Sequence, residues 1–283
     1  IIADRKAVFF SDSLRTLILV VLSAGILWLF LKEKLRLNTT IIVLGVLIMF
    51  DLVTVDRRYV NNDDFLSARE IDKPFVASAI NKDILKDQSY FRVANFMVDP
   101  MNDGSTSYFH KSIGGYHAAK LGRYQELFDF QIAKNNIEVL NMLNTKYFIF
   151  DDGSQRETVQ QNPDNNGNSW FVNIIKVVAN ANEEILSLDS LQTKKEAVID
   201  SRFITSDFVK EYPKDSNAII NLTSYKANEM VYEYNSSINQ FAVFSEIYYK
   251  DGWNAYIDGA LTPHYRVNYV LRGMEIPKGI HTV

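Results

Sequence analysis

Two apolar segments near the N-terminus constrain the fold of this chain most. Residues 16–31 (TLILVVLSAGILWLFL) carry no charge, and residues 39–55 (TTIIVLGVLIMFDLVTV) carry only Asp51. At about 1.5 Å per residue, a helix of this length nearly spans a hydrocarbon core about 30 Å thick. Only helices and closed barrels satisfy their backbone in lipid, so the segments predict a membrane-spanning helical hairpin. The alternative is a soluble two-helix core, but neither segment shows an amphipathic period.

The loop between the two segments indicates their orientation. It contains Lys32, Lys34 and Arg36 against one acidic residue, Glu33. Positive charge favours the cytoplasmic side of a membrane, so everything after about residue 58 is predicted to be extracytoplasmic. Two arginines directly after the second segment oppose this orientation, although three nearby aspartates offset their charge.

Charge separates the hairpin from the rest of the chain. Residues 1–60 contain eight basic and five acidic side chains, whereas residues 61–283 contain 22 basic and 29 acidic ones. An acidic body without a dominant basic stripe argues against a nucleic-acid partner. The absence of cysteine excludes a disulfide scaffold, a thiolate metal site and a cysteine nucleophile.

After the hairpin, residues 59–193 alternate between helix and strand signals. Helix signals begin near Pro74, Gly115, Ile137 and Asn182, and apolar strands lie at 90–96, 145–150 and 170–178. This alternation predicts a mixed α/β subdomain. From residue 194 onward, short strands separated by tight turns such as Asp258–Gly259 predict an antiparallel, jelly-roll-like β-sandwich over residues 194–283. The predicted fold is a membrane α-hairpin (residues 1–58), then an α+β extracytoplasmic region that ends in a C-terminally truncated sandwich.

A basic and aromatic segment, residues 108–125 (YFHKSIGGYHAAKLGRYQ), is the first candidate site. Its candidate residues are His110, Lys111, Tyr116, Lys120, Arg123 and Tyr124. If a helix begins near Gly115, the last four follow the spacing i, i+4, i+7, i+8 and share one face. Beside free backbone N–H groups, such a face could bind a phosphate or a lipid headgroup. The alternative is a solvated helix face, which we favour because basic helix faces are common.

An aromatic segment, residues 248–268 (YYKDGWNAYIDGALTPHYRVN), is the second candidate site. Its candidate residues are Trp253, Tyr256, Asp258, His264, Arg266 and Asn268. Aromatic planes beside carboxylate, amide and guanidinium groups suit a pyranose, which offers a C–H face and hydroxyls. The alternative is that Trp253 fills the core and Arg266 pairs with Asp258. We favour this alternative because tryptophan is usually largely buried.

No familiar catalytic signature accompanies these segments. The sequence lacks GxxxxGK[ST], GxGxxG, GxSxG and HExxH, and its four histidines do not suggest a histidine-based metal site. We therefore predict no metal ligands and no cofactor within this chain.

Two stretches of the sequence resemble one family. Residues 244–283 (FSEIYYKDGWNAYIDGALTPHYRVNYVLRGMEIPKGIHTV) and residues 110–129 (HKSIGGYHAAKLGRYQELFD) resemble YfhO-type bacterial integral membrane proteins. The likeness runs from the hairpin through residues 57–65 (RRYVNNDDF) to the end. Members of that family are similar to GT-C glycosyltransferases, which have many membrane helices, a polyprenyl-phosphate-linked sugar donor and an extracytoplasmic domain near the C-terminus.

The resemblance implies that this chain is the last part of a longer, multi-pass protein of the bacterial cytoplasmic (inner) membrane. The sequence has no initiator methionine, and it stops in an apparent starting strand, which suggests a fragment. The implied partners of the parent protein are the lipid bilayer, the polyprenyl-phosphate sugar donor and an envelope glycan acceptor. The parent protein could also use a divalent metal.

The resemblance transfers no catalytic residue to this chain. In GT-C enzymes the catalytic acid or base is an Asp or Glu of the first extracytoplasmic loop, and no position here matches it. Asp51 and Asp56, at the membrane exit, are expected to be interfacial anchors. Two hypotheses follow: an acceptor-positioning domain of a hexosyltransferase, or a non-catalytic exported module that binds sugar or is purely structural. An acidic residue in the first external loop of the full-length protein would favour the first.

Overall fold

A computed structural model describes residues 2–283, apart from the side chain of Arg69. The chain contacts divide it into two compact units, Ile1–Pro74 and Phe75–Val283. The predicted subdomain boundary between residues 193 and 194 runs through the second unit.

The first unit contains the predicted helical hairpin. Helix α1 (Ile2–Leu31) and helix α2 (Leu37–Asp56) have mean hydropathies of 2.3 and 2.0 over their most apolar stretches. Among their described residues, only Thr40 is buried, so the apolar side chains face outward rather than form a soluble core. Both helices are long and apolar enough to cross a membrane. A short 3₁₀ turn (Asn62–Asp64) and helix α3 (Ala68–Asp72) follow.

Ion pairs join several charged side chains of this hairpin. Arg15 of α1 lies 3.4 Å from the carboxylate of Asp51 on α2, and Arg58 lies 2.7 Å from Asp12. Pairing lowers the cost of placing a charge within an apolar helix. Asp51 therefore has a partner on the neighbouring helix.

The second unit combines short helices with many short strands. Its helices are α4 (Ala79–Ile84), α5 (Ser105–Phe109), α6 (Gly122–Phe130), α7 (Ile137–Met142) and α8 (Ala181–Ser187), with 3₁₀ turns at Ile132–Lys134 and Ser201–Phe203. Its strands are β1 (Arg92–Asn95), β2 (Thr145–Asp151), β3 (Glu157–Gln161), β4 (Ser169–Val172), β5 (Ile174–Val178), β6 (Glu196–Asp200), β7 (Ile219–Lys226), β8 (Glu229–Ser236), β9 (Gln240–Phe244), β10 (Ala255–Ile257), β11 (Ala260–Thr262), β12 (Tyr265–Val267), β13 (Leu271–Ile276) and β14 (Gly279–Thr282).

Antiparallel pairing dominates the sheets. A four-stranded sheet has the order β12-β13-β9-β4, a three-stranded sheet has the order β14-β8-β7, and β10 pairs with β11 as a hairpin. A third sheet has the order β1-β2-β3, in which β1 and β2 are parallel, and β5 pairs in parallel with β6. The structure therefore confirms an N-terminal pair of apolar helices, followed by a mixed α/β region that is rich in antiparallel strands.

Side chains from the β14-β8-β7 sheet and the β12-β13-β9-β4 sheet pack in one apolar cluster. Ile220 and Tyr234 of the β14-β8-β7 sheet share it with Ala242 and Met274 of the β12-β13-β9-β4 sheet. Along β8, tyrosines are buried while the glutamates at its exposed positions face water, as the alternation in residues 229–234 predicts. A larger cluster joins α6, α7, α8 and β6 to β13.

The helix predicted to begin near Gly115 begins at Gly122 in the structure. Upstream of this helix, the backbone at Gly114 lies so close to the carbonyl oxygen of Pro100 that a Cβ would not fit. Gly115 then has a φ of 127°, which is incompatible with a helix. Tyr116 and Lys120 therefore precede the helix, and the predicted shared face does not form.

The strand predicted over residues 170–178 is divided, and the chain over residues 265–272 folds back on itself. Residues 170–178 form β4, which pairs with β9, and β5, which pairs with β6. Residues 265–272 turn at Asn268 and Tyr269, whose φ angles are 49° and 72°. These left-handed positions let β12 fold back onto β13.

Asp215 supports the loops beside β7 and β8, and its carboxylate predicts a pH dependence of stability. It accepts hydrogen bonds from the Oγ of Ser237 (2.7 Å) and from the backbone N–H groups of Ser237 (2.8 Å) and Asn217 (2.9 Å). These bonds lower the pKa of Asp215 to about 2. The folded pKa lies below the unfolded one of about 3.9, so this stabilisation is complete above that value and disappears as the pH falls toward 2.

We therefore expect Asp215→Asn to lower the urea midpoint at about pH 7 and to leave it unchanged at about pH 2. Urea unfolding followed by tryptophan fluorescence measures this difference. Asp164→Asn is the matched control, because Asp164 is exposed and lies 4.0 Å from its nearest cation, Lys194. An equal loss at both pH values would contradict the assignment.

Candidate functional site

A cleft of about 500 Å³ lies beside β8, β13 and the β10–β11 hairpin. We call it the Trp253 cleft. The side chains that define its chemistry are Glu229, Glu246, Trp253, Tyr256, His264 and Arg272. They come from residues 229–272, and strand pairing brings them together.

Trp253 forms an aromatic wall of the cleft and is only partly buried. The guanidinium of Arg272 lies 4.7 Å from the centroid of the Trp253 ring, a cation–π distance. Arg272 also donates hydrogen bonds to the carbonyl oxygen of Ile247, at 2.9 and 3.2 Å. This arginine therefore fixes the tryptophan plane, while nearby Tyr256 is exposed.

His264 lines the cleft and has one ring nitrogen that is unpaired within residues 2–283. Its Nε2 is buried and has no hydrogen-bond partner among the described residues. Burial, assisted by the charge of Arg272, lowers the pKa of His264, so the imidazole is neutral at about pH 7. A neutral imidazole can donate to or accept from a hydroxyl group.

Both carboxylates of the cleft are in ion pairs. Glu229 lies 2.9 Å from the Nζ of Lys226, and Glu246 lies 3.6 Å from the Nη2 of Arg92. Each can still accept a hydrogen bond, because a carboxylate offers several lone pairs. The cleft thus presents an aromatic plane and several hydrogen-bonding groups, which suits a ligand rich in hydroxyls.

The structure brings together three residues of the predicted aromatic site and separates the other three. Trp253, Tyr256 and His264 line the Trp253 cleft. Pro263 follows β11 directly, and the next strand, β12, pairs with β13 instead of β10. Arg266 consequently belongs to a different sheet from Tyr256, and Asn268 lies in the turn after β12.

The alternative interpretation of this segment is wrong about the ion pair. Asp258 pairs with His281 at 2.6 Å, whereas Arg266 lies beside Glu184 at 3.9 Å. Asn268 is buried and exchanges hydrogen bonds with the backbone of Val198. Asp258 and Arg266 therefore do not form a pair.

The residues of the predicted basic site also separate. His110 contacts the Oδ1 of Asn81 at 2.7 Å, and the Lys111 ammonium lies 4.9 Å from the Tyr90 ring centroid. Tyr116 is exposed and Lys120 donates to the carbonyl oxygen of Met101. The hydroxyl of Tyr124 donates to the carbonyl oxygen of Ile113.

Arg123 instead meets Arg266 of the other predicted site in a second cleft of about 250 Å³. We call it the Arg123 cleft. Glu184, fully buried, lies between the two arginines, at 3.3 Å from Arg123 and 3.9 Å from Arg266. Its other oxygen accepts the backbone N–H of Tyr269 at 3.2 Å.

Burial raises the pKa of Glu184, and the neighbouring guanidinium groups and the N–H of Tyr269 oppose that rise. The sequence gives no local signal for this residue. Its neighbour Glu183 has the same side chain at the start of the same helix, yet faces water and bonds to Asn180.

Within residues 2–283, no group of three or more His, Asp or Glu side chains is arranged to hold a metal ion. Comparison of the chain with family models, curated proteins and solved structures gives no match. The function must therefore be inferred from the two clefts and from the apolar hairpin.

Proposed function

We propose that this chain is the membrane-anchored, sugar-binding C-terminal part of a GT-C-like glycosyltransferase. The apolar hairpin anchors it in the bacterial inner membrane, with the residues after about 58 extracytoplasmic. The parent protein transfers a sugar from a polyprenyl-phosphate donor to an envelope glycan. The exported unit positions that acceptor.

The observation that carries this proposal is the chemistry of the Trp253 cleft. Trp253 is held in place by Arg272 and remains partly exposed, and His264 lines the same cleft. An aromatic plane favours the C–H face of a pyranose, and the polar groups around it can bind the ring hydroxyls. A cleft of about 500 Å³ accommodates a short oligosaccharide.

The sheet arrangement supports a β-sandwich as the scaffold of this cleft. Ile220 and Tyr234 come from one sheet and pack with Ala242 and Met274 of the other. Side chains from two facing sheets form such a core in a sandwich. The cleft would then lie at one end of the sandwich, where β10 and β11 add a hairpin.

Glycan binding by the full chain in nanodiscs tests the proposal. We expect the protein to bind a subset of bacterial envelope glycans on an array, and Trp253→Ala to weaken that binding at least about tenfold. Tyr116→Ala is the control, since Tyr116 is an exposed aromatic residue outside the cleft. Equal binding by wild type and Trp253→Ala, or no glycan binding by the wild type, would refute the sugar site.

A second candidate function is a non-catalytic exported sugar-binding module. The two carboxylates of the cleft fit both candidates, because Glu229 and Glu246 are already paired with Lys226 and Arg92 and the first candidate places its catalytic carboxylate outside this chain. A carboxylate held in an ion pair is a poorer general base than a carboxylate whose pKa lies near about 7. Both candidates require the same sugar contact and differ only in whether the parent protein carries the transfer chemistry.

A further inference from the structure

We propose that the Arg123 cleft binds a phosphate group. This inference is independent of the sugar-binding proposal, because it concerns a different cleft and different side chains. The residues that carry it are Arg123, Lys250, Arg266 and Tyr269.

The first argument is the excess of positive charge in the cleft lining. Arg123, Lys250 and Arg266 line the cleft, and Asp251 is the acidic residue among its lining side chains. Glu184 lies buried beneath the arginines and neutralises one of them. Basic side chains therefore outnumber acidic ones in the lining itself, which favours an anion there, while Glu126 just outside the lining accepts a hydrogen bond from the hydroxyl of Tyr269.

The second argument is that Arg266 is under-satisfied. Its Nε and Nη2 atoms are buried and have no hydrogen-bond partner among the described residues. Its guanidinium lies 4.4 Å from the ring centroid of Phe203, which orients the guanidinium plane. A bound anion would supply the missing hydrogen-bond acceptors.

The third argument is the backbone around the cleft. Leu121 is the N-cap of α6 and gives the first turn no side-chain hydrogen bond, and Leu121, Gly122 and Arg123 line the cleft. Free N–H groups and the helix dipole favour an anion at this end. Opposite them, Tyr269 has a left-handed backbone (φ of 72°), a strained conformation for tyrosine.

Phosphate fits this arrangement better than a monovalent carboxylate. Two guanidinium groups and an ammonium group offer many donors around one small volume, and a phosphate monoester brings up to two negative charges and several acceptor oxygens. The phosphate could belong to a soluble ligand or to a lipid headgroup. The shared chemistry is the phosphate itself.

Calorimetric titration of inorganic phosphate into the full chain, held in phosphatidylcholine nanodiscs, tests the site. We expect saturable binding that Arg123→Gln weakens about tenfold and that exposed Lys250→Gln weakens about threefold. The control is Arg156→Gln, which removes the same charge from an exposed arginine on the β2–β3 hairpin outside the cleft. It should leave the affinity unchanged.

The two cleft variants keep the test decisive if one fails to fold. Arg123→Gln removes a partner of buried Glu184, so its fold must be checked by circular dichroism, whereas exposed Lys250 has no such role. Absence of saturable binding by the wild type would overturn the proposal. An equal loss of affinity in Arg156→Gln, or unchanged affinity in the folded Lys250→Gln and Arg123→Gln variants, would overturn it as well.

Nanodiscs that contain phosphatidate distinguish the source of the phosphate. If a headgroup monoester fills the cleft, phosphatidate should suppress the titration with inorganic phosphate, while an equal fraction of phosphatidylglycerol should not. If the natural ligand is soluble, both lipids should act equally and weakly through surface charge. Either result upholds the phosphate site and assigns its source.

Discussion

Replacing Arg92 by methionine is expected to destabilise the unit Phe75–Val283 by about 3 kcal/mol. Arg92 is almost fully buried, and its Nη1 donates to the carbonyl oxygens of Leu143 (2.8 Å) and Ser245 (2.7 Å). Its Nη2 lies 3.6 Å from the carboxylate of Glu246. Methionine fills a similar volume but leaves two buried carbonyl groups and a carboxylate without their donor, and each unsatisfied group costs about 1–3 kcal/mol.

Urea unfolding of the full chain, followed by tryptophan fluorescence, measures this loss. Arg156→Met provides the control, since that arginine is exposed and the same substitution there should change the free energy of unfolding by less than about 0.5 kcal/mol. Similar midpoints for the two variants would mean that water replaces the Arg92 contacts. The role of Arg92 in joining β1 to the ends of α7 and β9 would then be wrong.

Local patterns in the sequence predict the strands and turns that depend only on neighbouring residues. The alternation of tyrosine and glutamate along β8 and the turn at Asp258–Gly259 both appear in the structure. The helix start at Gly122 cannot be predicted in the same way. Upstream of it, Gly114 lies against Pro100, a contact between segments that the sequence pattern does not connect.

Local sequence patterns likewise predict only some of the residues that line the candidate clefts. Trp253, Tyr256 and His264 were predictable together because they lie close in sequence. Arg272 joins them through the register of β12 and β13, and Glu229 through the sheet that contains β8, neither of which is encoded locally.

The Arg123 cleft illustrates a different difficulty. Arg123 and Arg266 were assigned to separate candidate sites from the sequence, yet both contact the same carboxylate, that of Glu184. Each pattern found a side chain with unusual chemistry but not its neighbours, because long-range packing decides which functional groups meet. The fold of the unit Phe75–Val283 brings both arginines to this one carboxylate.

Gly273→Ala is expected to cost about 2–3 kcal/mol, because the centre of the β12-β13-β9-β4 sheet has no room for a Cβ atom there. A Cβ on Gly273 would lie 2.5 Å from Cε1 of Phe241 and 3.0 Å from Cγ1 of Val267. Gly273 pairs with Val243 and Tyr265 on its two sides, so the backbone cannot withdraw. Phe241 is fully buried and cannot swing away without disturbing the surrounding core.

A double-mutant cycle tests whether the clash with Phe241 is the cause. Phe241→Leu alone should be destabilising, because it opens a cavity, but the pair Gly273→Ala with Phe241→Leu should be more stable than the sum of the single effects by about 1 kcal/mol or more. Gly104→Ala is the matched control, since a Cβ there meets nothing within 4 Å. Strict additivity in the cycle would show that Gly273 is required for a reason other than the Phe241 ring.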